Sequence, residues 1–229
     1  MDGPLWLLLD ADDTLWENNI FFERAIEDFI AFVDHAELRP DEVRHELDCV
    51  ETRNIEVNGY GTGNFTNNLV ECYELLRGRS ADDDERECLH ALTLRIRNHP
   101  IRLFPGVEET LDDLRARHRL GLVSKGDNAE QRSKLERSGL GGRFEFIVIV
   151  REKNADCYRS IISEIGVDAE HAWMIGNSPK SDIVPALEAG LGAVLVPNEN
   201  TWRLEVRPLP ETHDRFRVVR EFADLAAVF

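Results

Sequence analysis

Lysine is scarce in this chain. Of 27 basic residues only Lys125, Lys134, Lys153 and Lys180 are lysine, and arginine supplies the rest. Lysine differs from arginine in offering a compact point charge on a flexible stem. Its retention at four positions reads either as a need for such a charge there or as the residue of a drifted codon preference. Cysteine is sparse as well. Cys49, Cys72, Cys88 and Cys157 show no CxxC spacing, which argues against a disulfide framework and for reduced, buried thiols in a cytosolic protein. No apolar run reaches the length of a membrane span, and the amino-terminal one lacks a basic leader, so neither a spanning segment nor a signal peptide is expected. Internal repeats and low-complexity tracts are missing, and Gly and Pro are scattered rather than pooled. Positive charge is in deficit overall, with 27 basic against 44 acidic residues and a formal net charge of −17. That balance excludes nucleic acid and anionic membrane as partners, since both require a basic face. It also means that an anionic substrate would have to be met by a local cluster of cations.

What remains is an ordinary globular composition, 229 residues with 42% hydrophobic and 31% charged. The length suits one large domain or a core with a smaller insertion. From about residue 116 onward strands and helices alternate. "LGLV" (120–123), "FEFIVIV" (144–150), "AWMIG" (172–176) and "LGAVLVP" (191–197) read as strands, and the first three are followed by helix-like stretches. One of these stretches, "SPKSDIVPALEAG", is expected to be a single helix with Pro179 in its first turn. Together with "LWLLL" (5–9) near the amino terminus this makes five strands. Such alternation predicts an α/β fold with a Rossmann-like, doubly wound parallel sheet, in which ligands sit beyond the carboxyl ends of the strands.

The alternation breaks between residues 17 and 99. Four apolar-periodic stretches there predict an inserted all-helical domain, with Asp41 as a plausible cap of the second helix. The expected division is residues 1–16 and 100–229 for the core and 17–99 for the insertion. "NGYGTGN" (58–64) reads as an interhelical loop or as a substrate-facing one.

The strand ends carry the chemistry. "LWLLLDADDTLW" runs a buried-looking strand straight into Asp10, Asp12 and Thr14. Aspartates there suit a turn, because they bond their own backbone, or a site. Ser124 and Lys125 follow the next strand, Lys153 lies just past "FEFIVIV", and Asn177 and Ser178 follow "AWMIG" with Asp182 one turn onward. Each alone has a structural explanation, such as a helix cap, a solvated lysine or an acid at a helix start. Their ordered recurrence at strand ends favours a shared site.

These four stretches resemble the four motifs of the haloacid dehalogenase-like superfamily: "LLLDADDTLW", "GLVSKGD", "REKNADCYRSI" and "MIGNSPKSDI". The resemblance covers residues 4–16 and about 100–200, and it makes the helical insertion a cap. It implies a phosphatase that hydrolyses a small phosphorylated metabolite through an aspartyl-phosphate. In that scheme Asp10 is the nucleophile, Asp12 the acid and base, and Lys153 the charge partner of both the nucleophile and the phosphoryl group. Thr14, Ser124, Lys125 and Lys153 would bind phosphate. Mg²⁺ would be held by Asp10, the Asp12 backbone carbonyl, Asp182 and Asn177. Asn177 stands where many members have an acid and contributes oxygen but no charge. Asp13 stands where glycine is common and is expected to stabilise the loop or stand by. Lys125, Lys180 and Asp127 lie beside the site, where supporting roles are open. Asn18, Asn19, Tyr60 and Asn64 are candidate substrate contacts in the cap. A phosphotransferase or phosphomutase on the same core, a dehalogenase, and a non-catalytic module binding phosphorylated ligands are the competing readings. Asp12 disfavours the dehalogenase, since halide needs no leaving-group acid. The oligomeric state is not legible.

Overall fold

The computed structural model describes residues 3–229. The chain forms two compact units, Met1–Glu17 with Ile101–Phe229, and Asn18–Pro100. The first unit opens with β1 (Trp6–Leu9), all four residues buried. The chain then forms the second unit from α1 (Asn19–Val33), α2 (Pro40–Asn58), α3 (Thr62–Arg77) and α4 (Asp83–Asn98). On its return it forms α5 (Val107–Arg117), β2 (Arg119–Lys125), α6 (Asn128–Ser138), β3 (Phe146–Val150), α7 (Ala155–Glu164) and β4 (Ala172–Gly176). It ends with α8 (Val184–Glu188), β5 (Gly192–Leu195), β6 (Phe216–Val218) and α9 (Leu225–Val228).

Among the described residues the six strands make one sheet in the order β3-β2-β1-β4-β5-β6, and every pairing is parallel. β1 lies at the centre, so both of its faces are covered. Leu7 and Leu9 join Leu120, Leu122, Ile175 and the α5 residues Leu111 and Leu114 in one core. Trp6 and Leu8 join Val123, Met174 and the α7 residues Tyr158 and Ile161 in another. Alternate side chains of a strand face opposite sides of a sheet, which is why a strand buried on both faces reads as an unbroken apolar run. Each fully buried leucine there contributes about 2 kcal/mol of transfer free energy.

The helical unit has its own core, with Ile26, Phe29, Val33, Leu47, Leu69, Leu89 and Ile96 among its buried members. α4 begins with a reciprocal cap, in which Asp82 accepts from the Glu85 amide and Glu85 accepts from the Asp82 amide, both at 2.9 Å. Such a box satisfies two otherwise orphaned donors.

The fold corrects five local expectations. β6 is a sixth strand, missed because it is three residues long, lies at the sheet edge and is partly exposed. α2 is capped at Arg39, not Asp41, with Pro40 in the first turn. The loop expected over 58–64 is shorter, since α2 runs to Asn58 and α3 starts at Thr62. The stretch after β4 is a π-helical turn, Pro179–Ile183, before the short α8, because Pro185 has no amide to continue one ladder. Of the four free thiols only Cys72 is buried, while Cys49 and Cys88 are exposed. No helix among the described residues is long and apolar enough to cross a membrane.

Candidate active site

The sheet register decides what meets at its carboxyl edge. Leu9 is level with Leu122 on one side and Ile175 on the other. Asp10 therefore emerges between the ends of β2 and β4, at the point where the strand order reverses, and its amide still bonds the Ile175 carbonyl at 2.9 Å. Crevices in open α/β sheets lie at such reversal points.

Asp10 is 8% exposed, Lys153 3% and Asp182 1%. The Lys153 ammonium, delivered by the loop after β3, donates to Asp10 Oδ1 at 2.5 Å and to Asp182 Oδ1 at 2.8 Å. Burial acts to lower the lysine's pKa, but Asp10 and Asp182 outweigh it and the group is held above its ordinary value. Asp182 is pushed up to about 7 by burial and by the charge of Asp10, against the opposing pull of Lys153. Its second oxygen, Oδ2, accepts from the Ser178 amide at 2.9 Å. Gly176 makes room for this carboxylate, since a Cβ there would stand 2.2 Å from Asp182 Oδ2. The π-helical turn brings Asp182 back under the strand end, and such turns are frequent at functional sites.

Thr14 is fully buried. Its hydroxyl donates to Asp10 Oδ2 at 3.0 Å, reaches Asn177 Oδ1 at 3.3 Å and accepts from the Asn177 amide at 3.1 Å. Thr14 thus ties the Asp10 carboxylate to Asn177. Ser124 is buried at the end of β2. Lys125 turns to Ser181 Oγ and Glu205 Oε1, both at 2.7 Å. Asp127 caps α6 through the Glu130 amide. Asp13 adopts a left-handed conformation, φ 60°, which explains the glycine common at this motif position, since glycine enters that region without steric cost. The residues expected to touch substrate from the helical unit show local bonding within it. Asn18 precedes α1, Asn19 bonds Glu23 at 3.3 Å, and Asn64 closes the short loop by donating to the Asn58 carbonyl at 2.6 Å. Tyr60 lies in that loop, its carbonyl 3.4 Å from Asn64 Nδ2.

Two groups of residues escaped the sequence reading. Asp12 is held by Lys134 Nζ at 2.5 Å, Gln131 Nε2 at 2.8 Å and Trp16 Nε1 at 2.8 Å. Burial tends to raise this carboxyl, but the charge and hydrogen bonds of Lys134, with Gln131 and Trp16, hold it below the usual aspartate value. Gln131 and Lys134 are three apart on α6, hence on one helix face, and that spacing beside a rare lysine was the available signal. The second group comes from the carboxyl-terminal segment. Glu205 accepts from Ser178 Oγ at 2.5 Å, from Lys125 and from Ser181 Oγ. Lys180 lies 3.9 Å from the same carboxylate. Thr201 accepts from Asn177 Nδ2 at 3.1 Å, and Asn198 donates to the Asp13 carbonyl at 2.9 Å. All four lysines of the chain therefore pair with acids around this one sheet edge.

Among the described residues no three His, Cys, Asp or Glu side chains converge as a metal cluster. The donors that do gather, Asp10, Asp182 and the amide oxygen of Asn177, are hard oxygens. Two buried carboxylates share one ammonium, so one formal negative charge is left to be met. Such a set fits Mg²⁺, which takes one or two carboxylates and completes its shell with water or phosphate.

Residues 6–190 match the model of a family described as haloacid dehalogenase-like hydrolase. The chain is 34% identical over 107 residues to the glyceraldehyde 3-phosphate phosphatase of Methanothermobacter thermautotrophicus, covering 44% of this chain and 47% of that one. The match thus spans about half of that relative's length. It is 24% identical to the human N-acylneuraminate-9-phosphatase over 85% of this chain and 82% of that one. Among solved structures, a haloacid dehalogenase-like family hydrolase from Xanthomonas campestris superposes with a TM-score of 0.85 at 26% identity, over 99% of this chain and 94% of that one.

Proposed function

Since the chain belongs to the haloacid dehalogenase-like hydrolase family, we propose that it is a Mg²⁺-dependent phosphatase of small phosphorylated metabolites, working through a phosphoryl group carried on Asp10. The observation that carries this reading is the contrast between two aspartates two residues apart. Asp10 shares Lys153 with Asp182, whereas Asp12 has a lysine of its own, Lys134. Separate environments for neighbouring carboxyls are what distinct nucleophilic and acid–base roles require. The phosphatase names of the similar proteins support the same class of substrate.

In the proposed cycle an Asp10 carboxylate oxygen attacks phosphorus and the bond to the leaving oxygen breaks. Asp12 gives its proton to that oxygen, then takes one from a water whose oxygen attacks the same phosphorus, freeing Asp10 and inorganic phosphate. Asp12 rests as a carboxylate beside Lys134. The approaching phosphate dianion raises its proton affinity, since a like charge nearby disfavours ionisation. Asp12 therefore takes up from solvent the proton it then donates, and returns to solvent the one later taken from water. Lys153 keeps its proton throughout and stabilises charge developing on the transferring oxygens. Ser124, at the end of β2, would donate its hydroxyl proton to a phosphate oxygen. Lys125 is assigned to holding the 178–181 loop through Ser181 and Glu205. Mg²⁺ held by Asp10, Asp182, Asn177 and the Asp12 backbone carbonyl would neutralise charge on the bound phosphate.

The test is phosphate release from p-nitrophenyl phosphate and a panel of metabolite phosphates, with and without Mg²⁺, on wild type and Asp10→Asn. Metal-dependent turnover reduced by about 10⁴-fold or more in Asp10→Asn supports the reading. Turnover that survives the substitution, or that appears only when an acceptor alcohol is added, overturns it.

A further inference from the structure

Asn177 poses a problem that an acid at the same position would not. A carboxylate presents oxygen on both sides, but an amide presents oxygen on one side and NH₂ on the other. An amide turned the wrong way would direct two donor hydrogens at a cation. We infer that Thr201 is the positioning residue that turns the Asn177 carbonyl oxygen toward the metal side of the site. This rests on the reading of Asn177 as a Mg²⁺-facing oxygen.

The argument is one of counting protons. The Thr201 hydroxyl donates its single proton to the Asn198 carbonyl at 2.9 Å, a bond within a tight turn that the Thr201 amide closes on the same oxygen at 3.1 Å. Toward Asn177 the hydroxyl can therefore only accept. The group facing it must be the NH₂, and Nδ2 lies 3.1 Å away. The amide oxygen is thereby turned to Thr14, whose hydroxyl also bonds Asp10. Thr14 also has one proton for two acceptors, Asp10 Oδ2 at 3.0 Å and Asn177 Oδ1 at 3.3 Å. The shorter bond, to an ionised oxygen, is the stronger. That leaves the Asn177 oxygen without a committed donor, its lone pairs available to a cation. Asn177 is 7% exposed, so a free rotation of its amide in solvent does not relieve the choice.

The segment 198–205 that carries Thr201 is tied at both ends. Asn198 donates to the Asp13 carbonyl at 2.9 Å and Glu205 receives the hydroxyls of Ser178 and Ser181, so Thr201 is set against both loops that carry the site. Asn198, Thr201 and Glu205 all lie beyond the residues matched by the family model, 6–190. An amide at position 177 and its orienting hydroxyl are therefore supplied by different parts of the chain.

The inference is tested by Mg²⁺ titration calorimetry and by Mn²⁺ binding followed by electron paramagnetic resonance, on the full chain and without substrate. Removing a group that orients a ligand side chain weakens metal binding by about tenfold or more. Thr201→Val should show that loss, while Thr201→Ser, which keeps the hydroxyl, should bind within about twofold of wild type. In an Asn177→Asp background the acid needs no orienting, so adding Thr201→Val should change affinity by less than about twofold, a coupling that only interacting positions show. Equal losses in both backgrounds would mean that Thr201 merely stiffens the loop, and the inference falls. It falls also if Thr201→Val binds like wild type or if wild type binds neither ion. Turnover is not read in these titrations, so a failure of the phosphatase reading is seen separately, as absent phosphate release by a protein that still binds metal.

Discussion

In the α/β unit the buried charges Asp10, Lys153 and Asp182 stand just beyond the ends of parallel strands, the last in the π-helical turn after β4. In the helical unit Glu23, Arg44, Asp48 and Glu51 stand on helix faces. Arg44 bonds Glu23 in a fork, at 2.7 and 2.9 Å, and donates through Nε to Asp48, its neighbour one turn on, at 3.1 Å. Glu51, another turn along the same helix, has a buried oxygen without a hydrogen-bond partner. Burial, with the nearby Asp48, pushes its carboxyl up to about 8, so near neutral pH this group is held as the acid. The two clusters have similar residue types, with only Glu23 not fully buried, but their geometry differs. Strand ends aim their side chains from several directions at one point, where a phosphate and a cation can sit. In the helical unit Arg44 instead meets one acid along its own helix and one on α1, a pairing that neutralises charge on the spot. Buried charge is thus a weak sign of a reactive centre until the backbone that presents it is known.

The contrast can be broken most strongly at Lys153. With Lys153→Met the two carboxylates lose their shared cation, and kcat/KM for phosphate release should fall by about 10³-fold or more. A fall below about tenfold would place this lysine with the structural pairs of the helical unit. Lys134→Met sharpens the division of roles inside the site. If Lys134 holds Asp12 for proton donation, kcat/KM on alkyl phosphates should drop by about 10²-fold. On aryl phosphates, whose leaving oxygen needs little protonation, the drop should stay under about tenfold. Equal losses on both would reduce Lys134 to a packing role.

Glu51 tests the helical side. An acid whose pKa is raised on folding binds its proton more tightly in the native state. Its stabilising contribution is therefore complete below the unfolded value near 4.5 and is lost as pH rises toward the folded value of about 8. Glu51→Gln, which cannot ionise, should raise stability at pH 8 by up to about 4 kcal/mol and leave it nearly unchanged at pH 4. Denaturant unfolding at the two pH values checks this, and a variant that is no more stable at pH 8 would refute it. The smallest effect is expected at Asp13. Its left-handed backbone costs an L-residue on the order of 1 kcal/mol, which Asp13→Gly relieves while adding unfolded-state entropy. The net change in stability should be below about 1 kcal/mol by the same unfolding measurement, and a larger loss would show that the Asp13 side chain holds the loop.

Much of this architecture was legible before any coordinates. Periodicity located five of the six strands and the four inserted helices, because each buries a face that its residue spacing reveals. The motif aspartates, Ser124, Lys153 and Asp182 were legible for another reason. Each lies within a few residues of a strand end, and a parallel sheet forces strand ends together. Gln131 and Lys134 were not, since their partner Asp12 lies 119 and 122 positions away. Lys125 and Thr14 were legible as residues of this edge, but their protein partners were not. Those partners, Glu205 and Ser181 for one and Asp10 and Asn177 for the other, stay hidden because position along the chain does not say which way a side chain turns.

The order of secondary elements, the parallel sheet and the row of chemical groups at its carboxyl edge follow from the amino-acid sequence alone, since hydrophobic period and strand-end position are local properties. The partner of each of those groups was decided only by the tertiary structure. Lys134 belongs to Asp12, Lys125 to Glu205 and Thr201 to Asn177 because hydrogen bonds and ion pairs act over about 3 Å. No local pattern specifies which distant residues the packed sheet and helices will bring within that reach.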